Sequence, residues 1–169
     1  MVKHPVLQVL HGEIASRTAA TVTAQPEFPC RKGCDHCCRH LASLPLLTEP
    51  EWELLREGIA QLGTTARVEI EARLAALGPL APRPVVCPLL DTASGACLVY
   101  AHRPTACRTY GFYVERDKGL YCGEIQTSVE RGELNHIVWG NHSGIEGRLG
   151  NLGPARSLDE WAAATLPVE

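Results

Sequence analysis

The sequence is poor in aromatic residues and in methionine. Aromatic side chains make up 5% of its 169 residues, and methionine occurs once. A core must therefore be built mainly from aliphatic side chains, which are abundant enough because hydrophobic residues account for 45% of the chain. With such a core, a metal need not be the sole source of folding energy, as it is in the smallest metal-binding domains. The length fits one compact domain, and we expect residues 1–169 to form it.

The chain also lacks a basic stripe and a long apolar run. Its formal net charge is −3 and its lysines and arginines are dispersed, which argues against a nucleic-acid partner. No segment approaches the roughly 20 apolar residues of a membrane-spanning helix. The first residues, MVKHPVLQVLHGE, lack the apolar stretch of a signal peptide. We therefore expect a cytoplasmic protein with no membrane partner, whose cysteines stay reduced rather than forming disulfides.

What the chain has is cysteine: eight in all, four of them between residues 30 and 38. Thiolates are strong, soft ligands for zinc, for copper(I) and for the iron of iron–sulfur clusters. Crowding of this kind in a reduced protein indicates a metal site. The candidate metal ligands are Cys30, Cys34, Cys37, Cys38, Cys87, Cys97, Cys107 and Cys122.

Spacing limits which cysteines can share one ion. Cys34 would share a helix face with Cys37 or with Cys38, because side chains three and four residues apart are neighbours on a helix. The adjacent Cys37 and Cys38 would not share a face. Cys38 is therefore either a ligand of a second metal or a buried structural thiol. Eight cysteines allow two four-thiolate sites, or one polynuclear cluster with thiols left over.

A metal held by four thiolates carries net negative charge, so nearby donors should stabilise it. We expect Arg103 or Arg108 to donate a hydrogen bond to a sulfur or to a carboxylate near the metal. Imidazole also binds zinc and iron. Three histidines are therefore alternative ligands, less favoured than the thiols: His36, His40 and His102.

Helical signals dominate the first half of the chain. Leu7, Leu10 and Ile14 recur at helical spacing and predict a helix over residues 5–20. Residues 49–77 are expected to form a helical hairpin. Two histidines of the first helix region are expected to face solvent: His4 and His11.

Capping signals mark two helix starts. Thr48 with Glu51 is a capping box that opens the helical hairpin, and Ser157 with Glu160 is a second one that opens a short final helix. The prolines of residues 80–86 indicate an extended linker.

The second half of the chain is less regular. A β-hairpin is predicted between residues 110–115 and 120–125. Residues 126–140 are ambiguous between helix and strand, and residues 141–154 are expected to be loop or a frayed helix. The predicted fold class is mainly α with a small β-hairpin, an irregular compact domain organised around a cysteine metal site.

The strings FPCRKGCDHCC and CPLLDTASGACLVYAHRPTACRTYGFY resemble the CxxCxxCC family of YkgJ-like cysteine-cluster proteins, described as zinc- or iron-chelating domains. The resemblance spans about residues 28–122 and includes the string RPTACR at 103–108, with Cys122 as the trailing cysteine. One departure is that three residues separate Cys30 from Cys34, where the family has two.

The resemblance implies a metal or iron–sulfur protein, and it extends distantly to flagellin lysine methylase, a larger enzyme that uses S-adenosylmethionine. We expect zinc or an iron–sulfur cluster such as [4Fe–4S], with iron favoured, in a chelating, electron-transfer or sensing role. Two alternatives stay open. One is a metal-dependent enzyme, such as an S-adenosylmethionine-using protein methyltransferase or a small iron–sulfur oxidoreductase. The other is a zinc-stapled interaction domain with a protein partner.

Overall fold

A computed structural model describes residues 4–78, 83–116 and 118–165. Helices predominate in this part of the chain and its strands are short, which confirms the predicted mainly α class. The helices are α1 (Pro5–Ala24), α2 (His36–Arg39), α3 (Glu49–Ala60), α4 (Thr64–Ala75), a 3-10 turn (Tyr100–His102), α5 (Thr105–Thr109), α6 (Gly123–Glu130), α7 (His142–Gly150) and α8 (Leu158–Thr165). The strands are β1 (Leu46–Leu47), β2 (Leu90–Asp91), β3 (Ala96–Cys97), β4 (Tyr113–Glu115), β5 (Lys118–Gly119), β6 (Gly140–Asn141) and β7 (Arg156–Ser157).

The strands form three small sheets within the described residues. β1 pairs antiparallel with β7, and β2 pairs antiparallel with β3. In the third sheet, β4 lies between β5 and β6, antiparallel to the first and parallel to the second. A hairpin is therefore present, but its second strand is β5, at residues 118–119 that were predicted to form the turn, with Glu115 paired with Lys118. The predicted second strand over residues 120–125 is wrong, because β5 ends at Gly119 and α6 begins at Gly123.

Helix α1 begins at Pro5 as predicted and continues past residue 20 to Ala24. Its predicted apolar face is confirmed, because its three apolar residues are each about 1% exposed: Leu7, Leu10 and Ile14. The prediction that His11 faces solvent is wrong. This ring is buried, with Nε2 3.0 Å from Thr105 Oγ1 of helix α5.

The Thr48 capping box is confirmed, with Glu51 Oε2 accepting from the Thr48 backbone N–H at 2.9 Å. At the second predicted box the glutamate half is present, since Glu160 Oε2 accepts from the Ser157 backbone N–H at 2.8 Å, and α8 begins at the next residue. The glycine-rich residues 141–154, expected to be loop or a frayed helix, contain the nine-residue helix α7. Its start is fixed by the Asn141 side chain, which accepts from the Gly144 backbone N–H at 3.2 Å.

The core is divided into three clusters of buried side chains. The main cluster joins the α3–α4 hairpin to α8 and includes Trp52, Leu55, Ile70, Leu74 and Trp161. An N-terminal cluster contains Leu10, Ile14, Tyr113 and Ile145. The Phe28 cluster contains Phe28, Ile125 and Leu134. Of the predicted linker, residues 80–82 lie outside the described residues, while Val85 forms a β-bridge with Leu41.

Candidate metal centre

All eight cysteines lie within the described residues, half-buried and free rather than in disulfides. They come from segments far apart in the chain: the residues before α2, α2 itself, the β2–β3 region, α5 and the residue that precedes α6. Short elements of this kind have few backbone hydrogen bonds of their own, so tertiary contacts must hold the thiols in place.

A first group of thiols gathers around Cys30. Burial raises the pKa of Cys30 to about 12, and the neighbouring Cys34, Cys37 and Cys122 add to the shift. Burial also raises the pKa of Cys34, again with contributions from Cys37 and Cys122. The pKa of Tyr110 is raised by burial and by the same thiols, Cys122 first. Cys122 therefore lies beside the N-terminal cysteines despite its distance in the sequence.

A second group gathers around Cys107 on helix α5. Burial raises the pKa of Cys107 to about 12, with Cys38, Cys37 and Cys97 as contributing thiol neighbours. Cys38 in turn has Cys87 and Cys97 as neighbours, and the Cys87 backbone N–H donates to the Cys38 carbonyl at 2.7 Å. The two halves of the cysteine pattern therefore meet in the folded chain.

The groups adjoin at the peptide bond between Cys37 and Cys38. Hydrogen bonding to the Cys38 thiol, together with burial, raises the pKa of Cys37. The same interaction lowers the pKa of Cys38, but hydrogen bonding to Cys87 and burial raise it, to about 12. Cys37 borders both groups, because it also contributes to the raised pKa of Cys97 and Cys107.

The thiols are grouped but not converged. Within residues 4–78, 83–116 and 118–165, no three cysteine, histidine, aspartate or glutamate side chains are arranged so that they could hold one metal ion. Six thiols have raised pKa values and are therefore protonated at neutral pH, so metal binding through them must release protons: Cys30, Cys34, Cys37, Cys38, Cys97 and Cys107.

Gly111 lets the chain pass close to Cys30. Its φ of +88° lies in the left-handed region, and a Cβ built on it would lie 3.0 Å from Cys30 Sγ and 3.2 Å from Ile125 Cδ1. The preceding carbonyl, that of Tyr110, lies 3.9 Å from Cys30 Sγ. Only glycine fits this position without displacing the thiol.

Helix α2 is tied to the turn that precedes β3. Arg39 Nε donates to Asp35 Oδ2 at 2.5 Å, and Arg39 Nη2 donates to the Thr92 carbonyl at 2.9 Å. A Cβ on Gly95 would lie 3.0 Å from Asp35 Oδ2. These contacts fix the segment that carries Cys37 and Cys38 against the one that carries Cys97.

Arg103 lies near both thiol groups, but its hydrogen bond differs from the prediction. Its positive charge lowers the pKa values of four thiols against larger upward effects: Cys30, Cys37, Cys97 and Cys107. Its Nε donates to the Tyr100 carbonyl at 3.2 Å, and its guanidinium carbon lies 3.6 Å from the centre of the Tyr100 ring. Arg108 Nε donates to the Arg103 carbonyl at 2.7 Å. In the described chain, neither guanidinium donates to a sulfur or a carboxylate. Both donate to backbone carbonyl oxygens instead.

Each thiol group rests on a different part of the core. Cys30 and Cys122 pack against the Phe28 cluster, whereas Cys87 and Cys97 pack against the main cluster. Because the groups adjoin, the cysteines connect two hydrophobic clusters. Metal bound at either group would restrain the cluster beneath it.

The three candidate histidines lie in different surroundings. The rings of His36, at the start of α2, and His40, just after its end, lie side by side with centroids 4.9 Å apart. His102 packs on helix α3, where a Cβ on Gly58 would lie 2.6 Å from its ring. The sequence pattern gave no indication that Glu51 would reach helix α5, although its Oε1 accepts from the Thr105 backbone N–H at 2.8 Å. The only sequence signal at Glu51 was its local capping role.

Fold and thiols together define a small, mainly α, cysteine-rich chelating domain. The chain belongs to the CxxCxxCC family, described as a zinc- or iron-chelating domain, whose sequence model matches residues 29–133. No protein with a curated description and no solved structure matches the chain. Among the residues that the structure describes, no helix is long and apolar enough to cross a membrane.

Proposed function

We propose that this protein binds metal through all eight cysteines, in two adjoining four-thiolate sites. The observation that supports this division is the set of thiol neighbours around each cysteine, with Cys37 bordering both groups. Since adjacent helical residues point in different directions, we assign Cys37 to the first site and Cys38 to the second. The first site is Cys30, Cys34, Cys37 and Cys122; the second is Cys38, Cys87, Cys97 and Cys107.

Charge supports the same assignment. Four thiolates around Zn²⁺ or a [4Fe–4S]²⁺ cluster leave net negative charge at each site, which a neighbouring cation stabilises. Arg103 lies beside thiols of both proposed sites. Its guanidinium is always protonated, so it would offset the negative charge of either site without first having to bind a proton.

We favour iron–sulfur clusters over zinc, in a chelating, electron-transfer or sensing role. Eight thiolates with a vicinal pair suit a multi-metal centre, and clusters held by cysteine thiolates exchange electrons. The chain would supply the thiol ligands, the positive charge of Arg103 and a half-buried environment. The bound metal would supply the redox chemistry.

Metal analysis of anaerobically purified protein tests the proposal. We expect iron and acid-labile sulfide with broad visible absorption. Cys34→Ser and Cys87→Ser should each lose the metal of one site and keep that of the other. Colourless protein that holds only zinc would eliminate the iron assignment. If every single substitution emptied both sites together, the centre would be one polynuclear cluster and the two-site assignment would be wrong.

One observation favours the enzyme alternative. A cavity of 390 Å³ adjoins the second proposed site, and its lining includes Cys87, Pro88 and Arg73. A catalytic metal keeps an open position beside such a space. Titration calorimetry of the metal-loaded protein with S-adenosylmethionine tests this alternative, and the absence of binding heat would remove the methyltransferase.

A further inference from the structure

Two imidazole rings lie at the edge of the first thiol group, that of His36 at the start of α2 and that of His40 at the residue that follows its end. His36 and His40 are four residues apart, with ring centroids 4.9 Å apart and ring planes inclined by 35°. His40 is exposed, and the His36 side chain is 40% exposed. Two imidazoles held this close can each supply one nitrogen to a single zinc ion.

The hydrogen bond of His40 leaves its outer nitrogen free for a metal. Its Nδ1 lies 2.9 Å from the His36 carbonyl oxygen. A carbonyl only accepts, so Nδ1 carries the hydrogen and donates, and in the neutral ring Nε2 keeps its lone pair. Histidines that bind metals commonly donate their second ring N–H to a carbonyl or a carboxylate in this way.

His36 has a related arrangement. Its Nδ1 faces Glu124 Oε1 at 4.0 Å, which is an ion-pair distance rather than a direct hydrogen bond. A carboxylate on the Nδ1 side favours the hydrogen there and leaves Nε2 as the metal-binding nitrogen. Each ring therefore has an acceptor beside Nδ1, one a carbonyl and the other a carboxylate.

The separation of the rings allows them to share an ion. An imidazole nitrogen binds zinc at about 2 Å, which places the ring centre roughly 3 Å from the ion. Two rings whose centres are 4.9 Å apart can therefore both reach one ion. The two nitrogens would leave the remaining coordination positions to water.

The ring pair is directly connected to the thiols. Burial raises the pKa of Cys34, the His36 backbone lowers it, and the charge of Glu124, the carboxylate beside the His36 ring, adds to the rise. An ion on the ring pair would thus lie next to the thiol at the exposed edge of the first group.

We propose that His36 and His40 form a separate two-imidazole site for Zn²⁺ or a similar divalent ion, from which the ion passes to the first thiol group. The transfer is a ligand exchange without oxidation or reduction. The Cys34 sulfur binds the ion, its proton leaves to solvent, and an imidazole nitrogen departs with its electron pair. Binding at the rings stands by itself, whereas the transfer step rests on the proposed function of the thiols.

A double variant, His36→Gln with His40→Gln, tests the site, and His136→Gln is the matched control because His136 is another exposed histidine. The probe is Zn²⁺ added to protein whose thiol sites are already filled, followed by imidazole ¹H–¹⁵N spectra. We expect zinc to shift the His36 and His40 Nε2 signals in wild type and in the control. The double variant should lose the additional zinc. Wild-type spectra that do not respond to zinc would overturn the site.

Loading kinetics test the transfer. Metal-free, reduced protein is mixed with Zn²⁺ and zinc uptake is followed by stopped flow. We expect the double variant to fill its thiols roughly tenfold more slowly, because an ion held on the rings meets Cys34 at a high effective concentration, with unchanged final zinc content. An unchanged rate would overturn the transfer step. If the rings bind zinc while the thiols retain none, the proposed function fails and the ring site stands.

Discussion

The Glu51 carboxylate on helix α3 caps helix α5 through the Thr105 backbone N–H, which lies 2.8 Å from Glu51 Oε1. The other oxygen of Glu51 caps its own helix at Thr48. Glu51 is 1% exposed, so a single buried carboxylate serves two helix ends. Helix α5 carries Cys107, and this contact therefore connects the helical hairpin to the second thiol group.

Replacing Glu51 by glutamine should destabilise the fold by about 1–3 kcal/mol, because the amide has a single oxygen, cannot accept from both the Thr48 and the Thr105 backbone N–H, and leaves one of them buried and unpaired. Urea unfolding of the metal-loaded protein measures the effect. Glu49→Gln is the matched control, since Glu49 is exposed in the first turn of the same helix and should change stability by less than about 0.5 kcal/mol. Equal effects of the two substitutions would contradict the double cap.

Alanine at Gly111 should displace Cys30. The left-handed backbone alone costs about 1–2 kcal/mol for a residue with a side chain, and here the new Cβ also meets Cys30 Sγ at 3.0 Å. Thermal unfolding and metal content measure the two effects separately. Gly33→Ala supplies the control, because Gly33 has a φ of +97° with nothing within 4 Å of the added Cβ. We expect both variants to lose stability and only Gly111→Ala to lose metal from the first site.

Helix α3 should not tolerate a side chain at Gly58. An alanine Cβ would lie 2.6 Å from the His102 ring and would push the 3-10 turn away from the helix, which costs about 1–3 kcal/mol. In contrast, Gly12→Ala in helix α1 meets nothing within 4 Å and should stabilise the protein by roughly 0.5–1 kcal/mol through the lower flexibility of the unfolded chain. Circular-dichroism melting curves should therefore shift in opposite directions.

His11 should make stability depend on pH. Burial, with a smaller contribution from Arg108, lowers the pKa of His11 from 6.5 to about 3. Between these values, the unfolded chain binds a proton that the folded chain does not. The contribution of His11 to the free energy of unfolding is therefore complete above pH 6.5. It falls by about 1.4 kcal/mol per pH unit as the pH drops toward 3.

Urea unfolding of metal-free, reduced protein between roughly pH 5 and 8 measures this dependence without interference from metal release. His11→Gln should remove the His11 part of the slope. His136→Gln, at an exposed position, should keep it. A slope that His11→Gln leaves unchanged would contradict a neutral, buried imidazole.

Local signals in the sequence predicted the elements that local interactions build. The periodicity of Leu7, Leu10 and Ile14 located α1, and the Thr48 and Ser157 capping boxes located two helix starts, because these patterns act within one turn of helix. The error at His11 has a long-range cause. His11 follows Leu7 by four residues and lies on the same helix face, but its polarity suggested that it faces solvent. It is buried because it has a polar partner 94 residues away, Thr105.

For the candidate site too, the sequence allowed predictions of local features but not of long-range ones. Residue types and spacing predicted the thiols as metal ligands and predicted that Cys37 and Cys38 do not share one ion. Which distant cysteine joins which group could not be predicted, because Cys122 reaches Cys30 only through the packing of α6 on the Phe28 cluster. Glycine-rich residues 141–154 concealed α7 for a similar reason, since Ile145 is buried against residues of α1 and β4.

The pairing of β1 with β7 limits how far the chain can be truncated at its C-terminal side. Trp161 Nε1 of α8 donates to the Leu47 carbonyl at 2.8 Å, so the C-terminal end of the described chain covers the hairpin between the cysteine segments. Both α8 and α1 lie outside the family match at 29–133. A fragment trimmed to that match would expose the apolar surfaces that these helices cover, and we expect it to aggregate. We therefore expect that residues 29–133 of this chain do not fold on their own.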